Sequence, residues 1–425
     1  MGVSDKRRGV KKARGMARQD AAQVLELPLS GDRLKVAGLF AGIGGLELGL
    51  KMAGHQASLL CEIDEPAARV LRAYFPGVPL ERDVRDVCNL RDAELVAAGF
   101  PCQDLSQAGQ TAGISGSRSG LVSEVFRLLK TSKPRWLLLE NVSFMLSLDK
   151  GSAMRYLTTS LEELGYRWAY RVVDTRAFGL PQRRQRVLML ASQTDDPRDV
   201  LLADDAGEPE EPDFRGRPCG FYWTEGLKGV GWAVDAIPTI KGGSTLGIPS
   251  APAIWMPSGL VGTPDIRDAE RLQGFPEDWT APSVDSPTRK NSPRWKLVGN
   301  AVSVPVAQWV GSRLREPGQY EPKAETLLSS KARWPRAAWG EKGRVVRVDV
   351  SEWPIRRATP GLARFLRYPL MPLSARAAEG FLKRARASSL YFEEGFLEAV
   401  EAHLRKMLQE AARSNSGQGS VAAGS

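Results

Sequence analysis

Histidine is the scarcest titratable residue in this chain. Only His55 and His403 occur among 425 residues, which by counting nearly excludes an imidazole-based triad or a multi-histidine metal centre. The four cysteines (Cys61, Cys88, Cys102 and Cys219) are far apart, and none forms a Cys-x-x-Cys pair. That spacing excludes a disulfide framework and a zinc site, and it implies a reducing cytoplasm. No run of about 18 apolar residues is present, so a membrane span is excluded. The basic N-terminus lacks the apolar stretch of a secretory signal, and no internal repeat is found.

What is present is a chain of two to three domains, since one domain takes roughly 150 residues. Apolar residues at 42% and charged residues at 25% exclude wholesale disorder. The net charge of +10 predicts a polyanionic partner. Its distribution is uneven. Residues 1–20 hold seven Lys/Arg against two Asp, and residues 316–425 hold eighteen against twelve Asp/Glu, which leaves the middle essentially neutral. The N-terminal run (Lys6, Arg7, Arg8, Lys11, Lys12, Arg14, Arg18) reads as a solvated, disordered arm, as a nonspecific phosphate-binding arm, or as both.

Short apolar runs at 34–40, 57–62, 95–100, 135–140, 167–174 and 186–191 alternate with helical patterns at 65–75, 121–130 and 152–164. A helical stretch also follows the glycine turn Ala41 to Gly45. This alternation predicts an α/β fold with a parallel sheet covered by helices on both faces. From about Ser192 the pattern breaks into a Gly- and Pro-rich, irregular second domain with Trp223, Trp232 and Trp255. Helices resume at 265–273 and 301–314. The tail carries a strand at 345–350, a helix capped by Ser374, and a helix over 393–410. In that last helix Phe396, Leu397, Val400, Leu404, Met407 and Leu408 share one stripe. The divisions expected are a basic arm (1–32), an α/β sheet domain (33–190), an irregular domain (191–286), a return segment (287–315) and a C-terminal accessory α+β region with a disordered end (316–425).

In an open α/β sheet, ligands bind beyond the carboxyl ends of the strands. The first such end is Phe40-Ala41-Gly42-Ile43-Gly44-Gly45. The second carries Glu62 and Asp64, and an acidic side chain there suits a ribose hydroxyl pair. Asp83, after the third strand, is placed to accept from an adenine amino group. Together these fit a nucleoside-containing cofactor, either a dinucleotide or S-adenosylmethionine. The fourth strand ends in Gly99-Phe100-Pro101-Cys102-Gln103, an odd place for a core thiol, and the fifth in Glu140-Asn141-Val142. Adjacent parallel strands would bring Cys102 and Glu140 to one cleft.

With these motifs the chain resembles the DNA (cytosine-5) methyltransferases. The match runs in order over about residues 36–310 and adds Gln182-Arg183-Arg184-Gln185-Arg186, Arg271-Leu272-Gln273-Gly274-Phe275-Pro276 and Gly299-Asn300-Ala301-Val302. The resemblance implies a Rossmann-like S-adenosylmethionine-dependent fold, no metal, and double-stranded DNA as partner. It implies Cys102 as nucleophile, Glu140 acting at cytosine nitrogen 3, and Arg184 and Arg186 holding the cytosine carbonyl and the closing loop. The target base must leave the duplex for attack. The Gly/Ser-rich stretch 103–120 is then a mobile loop that closes over it. Cofactor contacts carry over to Phe40, Gly42, Gly44, Glu62, Ile63, Asp83, Val84, Pro101, Leu121, Asn300 and Val302. Residue 38 departs from the pattern: many members have Asp before Leu-Phe where this chain has Gly38, which changes a contact near the cofactor's methionine end.

In this family the segment between the arginine motif and RLQGFP reads sequence, here roughly 191–262. Lys241, Gly242 and Ser244 are candidate contacts to bases or phosphates, or a turn linking two strands. Gln103, Ser106 and Arg118 are the further DNA-contact candidates. In the tail, Trp334, Trp339 and Trp353 with Arg333, Arg336, Arg344 and Arg347 point to extra DNA contacts or to docking on restriction or phage-defence proteins. A structural appendage is the alternative. A tRNA cytosine methyltransferase of this architecture, a silent DNA-binding module and a dinucleotide oxidoreductase are the rival functions. The long recognition region favours DNA over RNA. Intact Cys102, Glu140 and Arg184 argue against a silent module, and an oxidoreductase leaves the thiol and the ENV motif without a purpose.

Overall fold

The structure is a computed structural model that describes residues 31–100, 120–243, 251–284, 292–322, 325–329 and 331–419. Pro101, Cys102, Gln103, Ser106, Arg118 and Ser244 lie outside the described residues, as do most of the basic arm and the Gly/Ser-rich stretch.

β1 (Lys35–Leu39) leads through the glycine turn into α1 (Gly45–Met52), β2 (Gln56–Cys61), α2 (Glu65–Tyr74) and β3 (Leu80–Glu81). Then come β4 (Leu95–Ala98), α3 (Leu121–Ser132), β5 (Trp136–Val142), α4 (Ser152–Glu163) and β6 (Arg167–Asp174). β7 (Gln182–Arg183), β8 (Gln185–Ser192) and α5 (Pro197–Leu201) complete this half. All four residues of β4 are buried, because helices cover both faces of the sheet and leave no alternation with polar residues. α3 presents Val122, Val125, Leu128 and Leu129 to the core, one stripe at helical spacing. Asp64 caps α2 in extended geometry, with proline in the first turn.

The second half of the chain contributes β9 (Cys219–Phe221), β10 (Ala233–Val234), β11 (Ile237–Pro238), β12 (Ala253–Trp255), β13 (Val261–Thr263), α6 (Ile266–Leu272), α7 (Ser292–Asn300) and α8 (Val304–Arg315). The tail adds β14 (Glu325–Leu327), β15 (Ala337–Glu341), β16 (Arg344–Val348), α9 (Leu362–Phe365), β17 (Met371–Pro372), α10 (Ala375–Arg386) and α11 (Phe396–Gly419).

The main sheet has ten strands in the order β14-β16-β15-β6-β8-β5-β4-β1-β2-β3. From β3 to β5 every pairing is parallel, as the alternation of strands and helices predicts. The remainder corrects that prediction, because β8 runs antiparallel to both β5 and β6, and β15, β16 and β14 continue antiparallel. The physical reason is the link between β6 and β8. It covers only residues 175–184, with one 3-10 turn at Thr175–Phe178 and β7, short of the dozen or more residues of a helical crossover, so β8 returns beside β6 in the opposite direction. One core layer packs α3 and α4 on one face of the sheet. The other packs α1, α5 and α8, with Leu46, Leu50, Leu201 and Val310.

A second sheet, in the order β10-β9-β12-β13-β17, is built from strands of two or three residues. The tail helices α10 and α11 cover it through Phe221, Phe381, Phe396 and Val400. Ser374 caps α10 by accepting from the Ala377 backbone N–H, as its sequence predicts. The apolar stripe of α11 packs at Phe396, Leu397, Val400 and Leu404, but Leu408 is exposed, because the helix has run past the sheet it covers. The tail tryptophans are corrected as well. Trp339 and Trp353 are buried, so their rings fill the core and are not offered to DNA, while half-buried Trp334 packs against the core on Trp168 and Tyr170.

Candidate active site

One cavity of about 760 Å³ opens at the carboxyl ends of the parallel strands. It gathers Phe40, Gly42, Glu62, Ile63, Asp83, Val84, Leu121, Glu140, Arg184, Arg186, Lys241, Gly242 and Asn300 from the residues singled out in the sequence. Gly44 and Val302 do not line it. Gly44 is the N-cap of α1, and Val302 packs behind the wall, its carbonyl close against Gly45 and a methyl 3.9 Å from a Cβ built on Gly99.

The nucleoside end is formed by the first two strand tips. Gly42 has φ +56° and nothing within 4 Å of a built Cβ, so its left-handed backbone is bare on the cavity side. Its N–H donates to Oε2 of Glu62 at 2.7 Å, and the Asp64 N–H donates to Oε1 at 2.7 Å. These bonds fix the Glu62 carboxylate and leave lone pairs free to accept from a diol. Burial raises the proton affinity of Glu62, and the two backbone donors oppose it. Ile63 is 65% exposed, an apolar face turned to a cavity, as a planar heterocycle needs. Asp83 is engaged by Arg85 through its backbone N–H and guanidinium, which holds the carboxyl down at about 2. It is ionised and able to accept.

The reactive end follows from strand direction. β8 runs antiparallel to β5 with Arg186 opposite Val142 and Leu188 opposite Glu140. Arg186 and Glu140 therefore share one face as diagonal neighbours, and Nε of Arg186 lies 2.9 Å from Oε1 of Glu140. Glu140 is buried, and burial raises its proton affinity against the pull of Arg186 and Arg184. Desolvation thus favours the protonated carboxyl and the two guanidiniums the ionised one. Arg184 is almost fully buried and donates to the carbonyls of Ile240, Gly299 and Ala301 at 3.0, 3.2 and 2.6 Å. It ties the β11 exit and the end of α7 to the arginine motif.

Residues that sequence reasoning left without a role complete the site. The Asn141 amide donates to the Phe100 carbonyl at 3.0 Å, which locks the end of β5 to the end of β4 just before Pro101-Cys102. Gln182 and Gln273 are fully buried. Gln182 accepts from the Ile240 N–H and donates to the Leu272 carbonyl, while Gln273 donates to Val298 and accepts from Ser303. A buried glutamine in each motif was the available signal. Tyr222 was missed altogether. It lines the cavity, donates to the Thr239 carbonyl, and carries the Lys241 ammonium 3.8 Å over its ring. Lys241 is also paired with Glu225, and a Cβ on Gly242 would lie 2.1 Å from Oδ1 of Asn300. This turn is thus packed on the α7 end that closes the cavity.

The arrangement offers a diol acceptor, an apolar plate and a buried carboxyl–guanidinium pair in one cleft. Comparison with known proteins agrees with that chemistry. The family model described as C-5 cytosine-specific DNA methylase matches residues 34–215. The chain is 50% identical over 392 residues to Type II methyltransferase M2.BsuMI of Bacillus subtilis (strain 168), covering 89% of this chain and 100% of that protein. It is 31% identical over 295 residues to Type II methyltransferase M.NgoBI of Neisseria gonorrhoeae, covering 64% of this chain and 90% of that protein.

Proposed function

This chain belongs to the C-5 cytosine-specific DNA methylase family, and from that premise we propose the residues that perform its reaction and the system it serves. It is a DNA (cytosine-5) methyltransferase that uses S-adenosylmethionine. The fit of that cofactor rests on the cavity itself: the fixed Glu62 carboxylate would accept from the ribose hydroxyls, exposed Ile63 with Asp83 and Val84 would hold the adenine, and bare Gly42 would let the backbone be approached closely.

Carbon 5 of cytosine is a weak nucleophile, so a covalent assist is required. Cys102 adds as a thiolate to carbon 6 of a flipped-out cytosine, and Glu140 delivers a proton or hydrogen bond to ring nitrogen 3. Carbon 5 then has enamine character. S-adenosylmethionine supplies the electrophilic methyl group. Loss of the carbon 5 proton restores the double bond and expels Cys102. Arg186 holds the Glu140 carboxyl and faces the base carbonyl, while Arg184 holds the surrounding loops. The observation that carries this reading is the Glu140–Arg186 pair at 2.9 Å, in the same cavity as Glu62 and beside the strand end that leads to Cys102.

Residues 191–286 serve as the target-recognition unit, with Gln103, Ser106, Arg118, Lys241, Gly242 and Ser244 contacting DNA. The enzyme works in the cytoplasm at the nucleoid and marks host DNA as self, alongside other restriction or phage-defence proteins. Among the described residues no helix is long and apolar enough to cross a membrane. Bisulfite sequencing of DNA from cells expressing the chain tests the reading. Protected cytosines in one short sequence are expected, and methyl transfer to tRNA but not to duplex DNA would overturn it.

A further inference from the structure

Glu47 is a carboxyl that the scheme above does not use. It sits in the first turn of α1 at 2% exposure, and among the described residues neither oxygen accepts a hydrogen bond from another residue. A buried, unpartnered carboxyl is costly, and such groups mark sites where something other than stability is served. Its niche is made by Gly38, because a Cβ built there would lie 2.1 Å from Oε1 of Glu47. Any side chain at position 38 would take the carboxyl's space.

The niche lies just behind the cofactor turn. β1 and α1 are joined by residues 40–44, of which Phe40, Gly42 and Ile43 line the cavity. Burial pushes the Glu47 carboxyl up to about 8, and the negative charge of Glu62 adds to the effect. Among the described residues, the groups packed around α1 supply Glu47 with no countercharge. Lys51, one turn on, holds its ammonium 5.9 Å over the Phe75 ring. α8 meets α1 at Gly49 with Val304, Ala307 and Gln308, and Arg315 at its far end donates to the Gly31 and Ala53 carbonyls. His55, before β2, bonds the Leu34 N–H and the Gly311 carbonyl.

We propose that Glu47 reads the charge on the bound cofactor, keeping its proton when the cavity is empty or holds the uncharged thioether product and releasing it to solvent when the cofactor carries a sulfonium. The inference rests on the family reading for the identity of the ligand. S-adenosylmethionine and its product S-adenosylhomocysteine differ by one methyl group and one positive charge on sulfur. A positive charge beside a buried carboxyl favours the ionised form. Linkage then requires the ionised carboxyl to favour the charged ligand over the product by the same factor. The proton returns from solvent once the sulfonium is gone, and the grip on product loosens.

The test is calorimetric titration of the full chain with each ligand, in two buffers of different ionisation enthalpy, which counts protons released on binding. At about pH 7, S-adenosylmethionine should release several tenths of a proton more than S-adenosylhomocysteine, and the difference should vanish in Glu47→Gln. Equal counts for the two ligands, or an unchanged difference in Glu47→Gln, would overturn the proposal. If that variant does not fold, the wild-type counts decide. The difference must shrink at both about pH 5 and about pH 10, where the carboxyl is held in one state whichever ligand is bound, and a constant difference overturns the proposal. Failure of S-adenosylmethionine to bind at all would instead overturn the family reading itself.

Discussion

The two halves of the ten-stranded sheet are built on opposite plans. From β3 to β5 the strands are parallel, the tips of β1, β2, β3 and β5 bring Gly42, Glu62, Asp83 and Glu140 to the cavity, and the cavity lies across those tips. From β8 outward the strands are antiparallel and deliver few groups to the cavity, but they hold the parallel half in place. β8 alone does both, because its reversed direction starts Arg186 where β5 ends at Glu140 and Asn141. Beyond it, Arg171 is fully buried in β6 and donates to Ser351, Leu201 and the Asp205 carboxylate. Glu352 from the tail accepts from Gln185, which sits between the two motif arginines, at 2.6 Å, and pairs with Arg336. Chemistry is concentrated in one half and rigidity in the other, and the tail belongs to the second.

If that division holds, substitutions in the two halves separate by what they change. Cys102→Ser should abolish methyl transfer while S-adenosylmethionine binding stays within about twofold, since on the proposed mechanism the substitution removes the nucleophile alone. Equal loss of binding, read by calorimetry, would break the comparison. Glu140→Gln should lower kcat by ~10²–10³ through loss of acid assistance, again with cofactor affinity retained. Arg171→Ala should act on stability instead, by about 2–4 kcal/mol in denaturant unfolding, because buried carbonyls lose their donor. Methylation per folded molecule should be unchanged. Glu352→Ala should show the smallest effect, a several-fold drop in kcat with KM for cofactor unchanged, as Gln185 loses its anchor beside Arg186.

The pH dependence of stability sharpens the contrast within the parallel half. Glu47 is raised in the folded state to about 8, so its folded form binds the extra proton. Its contribution is fully present below the ordinary carboxylate range and is lost as pH rises toward 8. The slope is about 1.4 kcal/mol per unit at most. Unfolding of Glu47→Gln followed from acid to pH 8 should lack that slope.

The parallel half was legible residue by residue. Apolar runs mark its strands, turns mark its tips, and the chemistry sits at the tips, so Glu62 and Glu140 are found by position, whereas the arginine motif on β7 and β8 is found only through the family resemblance. The antiparallel half was not. The run at 186–191 reads as a strand, but nothing local states that it reverses, because direction depends on the length of the turn before it. The tail tryptophans carried the same ambiguity: an aromatic among arginines looks like a nucleic-acid contact until the strand that turns Trp339 inward is known. Tyr222 escaped because its neighbours in space, Thr239 and Lys241, lie some twenty residues on. Glu47 escaped because a carboxylate in a first helical turn is ordinarily a solvated complement to the helix dipole.

The central claim is that Cys102 attacks carbon 6 of an extruded cytosine with Glu140 at its side. Incubating the full chain with S-adenosylmethionine and duplex DNA carrying 5-fluorocytosine at the methylated position tests it directly, because fluorine at carbon 5 blocks the final elimination. The account predicts a denaturant-resistant protein–DNA adduct that maps to Cys102, forms more slowly in Glu140→Gln and is absent in Cys102→Ser. No adduct from an enzyme that methylates the same site, or an adduct that persists in Cys102→Ser, would contradict it.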